Sequence, residues 1–169
     1  MGIDGTLGQP KSIPVQIRFI DKNQDLESIL AIERVSFPSP WGLPEFYWCF
    51  QNLSVYIKVA EYDGKVVGYV IYEQAKDELI VHNMAVHYDY RHAGVGRQLI
   101  ERLVAKLVRE HKRLIEAVVR EANLDAHLFL KACGFKAVEV LRQCYEDSDE
   151  DGYRFVYELG QECWPSMIP

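Results

Sequence analysis

Apolar positions recur along this chain with two periods, and the alternation between them outlines a fold. Residues 15–20 alternate apolar with polar, the pattern of a half-buried strand. Asp21 or Asn23 can then cap a helix carrying Leu26, Ile29, Leu30 and Ile32 on one face, ended by Pro38 and Pro40. Residues 43–50 read as a second short helix with Pro44 in its first turn. Strands are expected over 55–61 and 65–73, joined by the hairpin dipeptide Asp63-Gly64, with a third antiparallel strand at 78–86. A long helix over 94–111 follows, its stripe formed by Val95, Leu99, Ile100, Leu103, Val104, Leu107 and Val108. Residues 114–119 predict a strand and 125–133 a helix stopped by Gly134. Strands at 136–141 and 153–159 close the pattern as partners across an acidic loop. This order implies an α+β fold in three αβα layers: one mixed, mostly antiparallel sheet with helices on both faces.

Composition narrows the class. At 169 residues the chain fits one domain, placed at 15–160, with a Gly- and Pro-rich leader at 1–14 and a tail at 161–169. Hydrophobic residues make up 49% and charged residues 26%, enough to bury a core. No apolar run approaches membrane length and no signal-peptide pattern opens the chain, so a cytoplasmic protein with no membrane contact is expected. The start Met1-Gly2-Ile3-Asp4-Gly5-Thr6 fits a loose myristoylation pattern but lacks a nearby basic cluster. Cys49, Cys133, Cys144 and Cys163 show no metal or redox spacing and read as reduced thiols. The five histidines form no metal-ligand pattern, so no metal is expected. A net charge of −6 argues against a nucleic-acid partner and is compatible with a cationic substrate.

The candidate chemistry centres on the turn between the third strand and the long helix. Arg91-His92-Ala93-Gly94-Val95-Gly96-Arg97 places two glycines where a helix begins. Free N–H groups and the positive end of the helix dipole make such a turn a receptor for phosphate, and the two arginines add charge. Neither the G-x-x-x-x-G-K-[ST] loop nor a dinucleotide-type glycine spacing is present.

Asn83-Met84-Ala85-Val86 followed by Arg91-x-x-Gly94-x-Gly96-Arg97 resembles the acetyl-coenzyme A motif of the GNAT N-acetyltransferase superfamily. Val119 to Asn123, with Ala126 and Leu130-Lys131-Ala132-Cys133-Gly134-Phe135, is similar to the second cofactor segment of that superfamily. Ile32-Glu33-Arg34 with Ser36-Phe37-Pro38 and Trp41 resembles the bacterial branch that acetylates the N-terminal alanine of a ribosomal protein. The resemblance implies acetyl-CoA as cofactor and a GNAT-like sheet whose strand at Val86 splays from the next. Backbone groups of Met84, Ala85 and Val86 would then pair with the pantetheine arm. Residues Arg91, His92, Ala93, Gly94, Val95, Gly96 and Arg97 would hold the pyrophosphate. Asn123 would touch the cofactor arm, or serve as a helix cap, or do both.

The same branch places a glutamate base five residues before that asparagine and a tyrosine acid seven after it, where this chain has Val118 and Leu130. Three residues are candidates to replace them. His82 is expected to share a strand face with Ile80, Met84 and Val86 and to look into the cofactor cleft as base; the plainer reading is a pocket-shaping histidine. Glu116 shares a face with Val118 and could act through water, or be an ordinary salt-bridged carboxylate. Tyr145, opening the loop between the last strands, could donate a proton or contact substrate, or merely pack on the sheet. Phe37 and Trp41, with Pro38, would wall the substrate site or form a core corner. The acidic loop Glu146-Asp147-Ser148-Asp149-Glu150-Asp151 would attract a cationic amine if it borders the cleft. The expected acceptor is a peptide or protein N-terminus. A polyamine or other small cationic amine is the alternative, as is an acetyl-CoA-binding regulator that has lost catalysis. A monomer or homodimer fits either case.

Overall fold

A computed structural model describes residues 12–160. Seven strands form one sheet: β1 Gln16–Phe19, β2 Val55–Tyr62, β3 Lys65–Gln74, β4 Glu78–Val86, β5 Leu114–Arg120, β6 Lys136–Leu141 and β7 Gly152–Glu158. Four α-helices complete the fold: α1 Lys22–Ser36, α2 Leu43–Gln51, α3 Val95–Arg109 and α4 Leu124–Ala132. The order in the sheet is β1-β2-β3-β4-β5-β7-β6. Every neighbouring pair is antiparallel except β4 and β5. The expected elements are all present, and the three layers with them. One feature of the order was not anticipated: β7 inserts between β5 and β6 while pairing with both.

The two faces have separate cores. Ile29 and Ile32 of α1 and Phe46 and Cys49 of α2 pack on Ile57, Val59, Tyr69, Ile71 and Ala85. On the other face Val95, Leu99, Ile100, Leu103 and Leu107 of α3, with Leu130 of α4, cover Val70, Tyr72, Leu79, Ile115, Ala117 and Phe155. Period-2 alternation along β2 and β3 feeds both cores at once, which is why these strands read as nearly continuous apolar runs. The β2–β3 turn has positive φ at both Asp63 and Gly64, as a two-residue hairpin of this handedness requires. Asp21 is the cap of α1, its carboxylate accepting the Asn23 N–H at 2.9 Å.

Residues 1–11 and 161–169, which carry most of the expected leader, the myristoylation-like start, Cys163 and the tail, lie outside the described residues. Residues 12–15 run against the start of α3. Ile13 N–H donates to Ala93 O at 3.0 Å, and Gln98 Nε2 donates to Ile13 O at 2.8 Å. Among the described residues no helix is long and apolar enough to cross a membrane.

Strand β1 is clamped to α1 by charge. The Arg18 guanidinium grips buried Asp25 through both oxygens, at 2.6 and 2.9 Å, and Glu61 at 2.8 Å. Hydrogen bonding from Arg18 holds the Asp25 carboxyl below the usual carboxylate range. Asp25→Asn is expected to lower the unfolding free energy at pH 7 by about 2 kcal/mol, between the values typical of exposed and of buried pairs. Because the folded value is depressed, this contribution is present above the ordinary aspartate value of ~3.9 and is lost as pH falls through the lower, folded one. Urea titrations of the two proteins at pH 7 and at acid pH check this; the gap should close at low pH.

Candidate active site

Strands β4 and β5 pair only from Glu78 to Val81 and from Leu114 to Ala117. Beyond these positions β4 stays with β3 as far as Val86, and β5 stays with β7 as far as Arg120. A fork therefore opens in the middle of the sheet. His87 N–H donates to Val67 O on β3 at 2.9 Å. By alternation along the strand, the N–H groups of Met84 and Val86 point to the opposite edge, into the fork. The Val86 carbonyl on that edge accepts Arg91 Nε at 3.0 Å.

The glycine-rich turn lies at the end of this strand. His92 and Gly94 both have positive φ, 60° and 78°, and Gly94 is the N-cap of α3. Left-handed residues alternating with ordinary ones aim neighbouring backbone N–H groups into one concavity, which with the helix N-terminus suits an anion. A Cβ on Gly94 would meet the Ser12 hydroxyl at 2.4 Å, and one on Gly96 would meet the Phe129 ring of α4 at 3.1 Å. Gly96 thus allows α4 to approach α3 closely. Both arginines have protein partners: Arg91 also donates to Ser36 Oγ at 3.1 Å, and Arg97 to the Ala132 carbonyl at 3.2 Å. Asn123 caps α4, its side chain accepting the Ala126 N–H at 3.2 Å.

The expected placement of His82 is corrected here. The β3–β4 register shifts between Ile71, which faces Asn83, and Tyr72, which faces Val81, so His82 is the extra residue of a β-bulge. The bulge reverses the alternation beyond it. Met84 and Val86 pack toward α3, whereas the His82 ring meets Trp48 of α2 edge-on at 5.6 Å. His82 therefore shares its face with α1 and α2, not with Met84 and Val86. Its Nε2 lies 3.0 Å from Glu73 Oε2. It is also the first β4 residue past the last paired position, so it stands where the fork opens.

On β5, Ile115 and Ala117 belong to the α3 core, so Glu116 and Val118 point to the same side as His82. Glu116 accepts Arg154 Nη1 at 3.2 Å, and Arg154 also reaches Glu139 at 3.1 Å. Tyr145 and Val118 both border Gly152, where a Cβ would lie 2.9 Å from Val118 Cγ1 and 3.4 Å from the Tyr145 ring. The Tyr145 ring lies under the Arg120 guanidinium, 3.9 Å from its centroid. Burial pushes the Tyr145 phenol up to about 12, so it carries its proton at neutral pH. Leu130 is buried in the α3 core, and His127, one turn away, packs against Tyr153 and Phe155.

The acidic loop is folded back on Arg120. Both oxygens of Asp147 lie 2.8 Å from this guanidinium, and Glu150 lies 3.2 Å from it. Arg120 and then the Ser39 hydroxyl hold the Asp147 carboxyl below its usual range. Ser39 belongs to the α1–α2 connection. Phe37 and Trp41, in that connection, are half-buried, each packing partly on the α1–α2 core. Sequence reasoning missed the contact of this segment with buried Glu33. The Glu33 carboxylate accepts the Trp41 N–H at 3.2 Å, together with the Tyr69 hydroxyl and Asn83 Nδ2.

The model of the acetyltransferase (GNAT) family matches residues 24–135. The chain belongs to that family. It is 32% identical over 146 residues to an N-alpha-acetyltransferase of Sulfurisphaera tokodaii, covering 76% of this chain and 84% of that one. Its fold superposes on the ribosomal-protein-S18-alanine N-acetyltransferase of Escherichia coli with a TM-score of 0.76 and 25% identity, over 88% of this chain and 97% of that one. It also matches Arabidopsis thaliana NAA60 in complex with acetyl-CoA, at a TM-score of 0.74 and 21% identity, over 86% and 100% of the two chains. The open β4 edge and the left-handed turn fit the acetyl-CoA donor of this acetyltransferase.

Gly94→Ala is expected to lower stability by about 1–2 kcal/mol, because a side chain is disfavoured at this left-handed position and Ser12 must move. Distorting the turn should also weaken acetyl-CoA binding roughly tenfold, the worth of one charge-assisted hydrogen bond. Urea titration and calorimetry measure the two effects; unchanged affinity would mean that the turn does not hold the donor.

Proposed function

We propose that this enzyme transfers acetyl from acetyl-CoA directly to a protein N-terminal α-amine, as an N-terminal acetyltransferase acting in the cytoplasm. The observation that carries the reading is the fork between β4 and β5, with an open β4 edge for the donor and with His82, Val118 and Tyr145 on the opposite face for an acceptor amine. The names of the Escherichia coli and Sulfurisphaera tokodaii relatives carry the same acceptor class.

Acetyl-CoA supplies a thioester carbonyl open to attack by an amine. The Val86 N–H, facing the fork, would hydrogen-bond the carbonyl oxygen where charge develops. Met84 and Val86 would pair with the pantetheine arm as a neighbouring strand would. The N–H groups of residues 92–97 would hold the pyrophosphate. His82 would take the ammonium proton: with Nε2–H donated to Glu73, its Nδ1 keeps the lone pair. Tyr145, protonated at neutral pH, would protonate the leaving thiolate or hydrogen-bond the peptide backbone. Glu116 faces the same side, but Arg154 engages it, so its role would be electrostatic. An α-amine, with a pKa near ~8 against ~10.4 for lysine, needs less help from a base. That suits a site with Val118 and Leu130 at the family's acid–base positions.

Two measurements test this reading. Thiol release with Ala-, Ser- and Met-terminated peptides should exceed release with spermidine and aryl amines at equal concentration by at least about tenfold. Turnover of polyamines alone would refute the peptide acceptor. Tight acetyl-CoA binding without turnover on any amine would instead favour the regulatory reading that Val118 and Leu130 leave open. His82→Gln should lower kcat/KM at pH 7 by at least about tenfold, the lower end for a positioned acid–base group being ~10²-fold. A kcat/KM equal to that of the wild type would remove His82 from proton transfer.

A further inference from the structure

Glu33 is fully buried in the last turn of α1, a costly place for a carboxylate. Low dielectric penalises its charge, and the negative end of the helix dipole does so again. Burial pushes its carboxyl above the ordinary range, against hydrogen bonds from Tyr69, the Trp41 N–H and Asn83. A leucine or methionine would fill this space without that penalty, so packing does not account for a glutamate here.

What the carboxylate does is join three elements. One oxygen accepts the Tyr69 hydroxyl of β3 and Asn83 Nδ2 of β4; the other accepts the Trp41 N–H of the α1–α2 connection. Asn83 immediately follows the bulge at His82 and precedes Met84. Trp41 rests edge-on against Phe46 at 6.2 Å, and the next N–H, of Gly42, is held by Glu45 at 2.7 Å. A rigid side chain thus spans from the backbone of the acceptor wall to the strand that borders the fork. All three partners donate, and a carboxylate is a side chain that can accept from all of them at once.

We propose that Glu33 is a positioning residue for the acceptor: it fixes the Phe37–Trp41 wall at a set distance from the β4 bulge, and thereby the width of the groove that receives the peptide. This rests on the reading of a peptide N-terminus as acceptor. Glu33 touches neither reacting atoms nor donor. Its loss should act on acceptor binding and spare acetyl-CoA, which the proposed function assigns to the other face and to the turn at 91–97.

The test uses the full chain with Glu33→Gln and Tyr69→Phe. The Glu33→Gln amide keeps the volume but cannot accept from all three donors, so one tie is lost. Tyr69→Phe removes one donor and leaves the Trp41 bond intact. Glu33→Gln is expected to raise the KM for an Ala-terminated peptide about tenfold or more, with the KM for acetyl-CoA within about twofold of wild type, the loss of one charged hydrogen bond setting the scale. Tyr69→Phe should raise the peptide KM by a smaller factor. Equal rises in both KM values, or an unchanged peptide KM in folded Glu33→Gln protein, would overturn the proposal. Hydrogen exchange at the Trp41 amide gives a readout independent of activity. Exchange should accelerate in Glu33→Gln while the amides of β3 keep their protection, and unaltered protection at Trp41 would overturn the role of Glu33. If wild-type protein acetylates no peptide, the acceptor reading fails, and this exchange arm alone decides whether Glu33 holds the wall.

Discussion

Everything in this molecule is arranged around the parting of β4 and β5. Each strand is firmly paired on its outer side, β4 by β3 and β5 by β7, so neither can swing across to close the gap. The two are parallel neighbours over four positions only, after which N–H groups in the centre of the sheet lack a strand partner. An exposed edge strand can be protected by charge, proline or a covering loop, but an opening inside a sheet cannot be blunted this way without destroying it. Unpaired backbone at such a place is costly, and a ligand that presents strand-like hydrogen bonds relieves the cost. The proposed donor and acceptor sides of the reaction follow from this opening. The turn at 91–97 and α3 lie on one face, and α1, α2 and the β6–β7 loop frame the other.

Most of the architecture was legible because its signals are local. The α3 stripe, the Asp63-Gly64 turn, the Asp21 cap and the Gly134 stop each depend on a few adjacent residues. What could not be read depends on pairing between distant segments. That β7 lies between β5 and β6 is set by three-strand packing, to which sequence order gives no clue. The misplacement of His82 is a failure of one assumption, that alternation continues unbroken along β4. A bulge adds one residue and moves everything after it to the other face. The polar pair His82-Asn83, interrupting an otherwise apolar run, was the available signal. Glu33 lay within a quoted motif, but nothing local marks it as buried, because its partners are 36 and 50 residues away.

Val118 and Leu130, where the resemblance to the alanine-acetylating branch leads one to expect a base and an acid, make sense in their surroundings. Val118 is partly exposed beside Tyr145 and faces the acceptor side, so the position is open but carries no titratable group. Leu130 has turned into the α3 core, where a hydroxyl would need a partner. The titratable groups on the acceptor side lie one strand over, in the Glu73–His82 pair, and one loop over, in Tyr145. Proton handling there is compatible with an acceptor amine that is already partly neutral, which links the altered site to the proposed chain-end acceptor.

The acidic loop changes meaning once its partners are known. Of its five carboxylates, Asp147 and Glu150 are engaged by Arg120, and Asp151 by Arg142. Arg120 and Arg142 offset only two of the five charges, but salt screens the remaining field within about 8 Å at physiological ionic strength, so it acts at short range. The run also shapes the loop: Arg120 at the end of β5 gathers it, and Tyr145 packs against the same guanidinium. On the other side Glu33 ties the α1–α2 connection to β3 and β4 through the Trp41 N–H, Tyr69 and Asn83. One charged side chain thus orders the backbone on each side of the fork, so the carboxylates of this protein do structural work before they contribute any field.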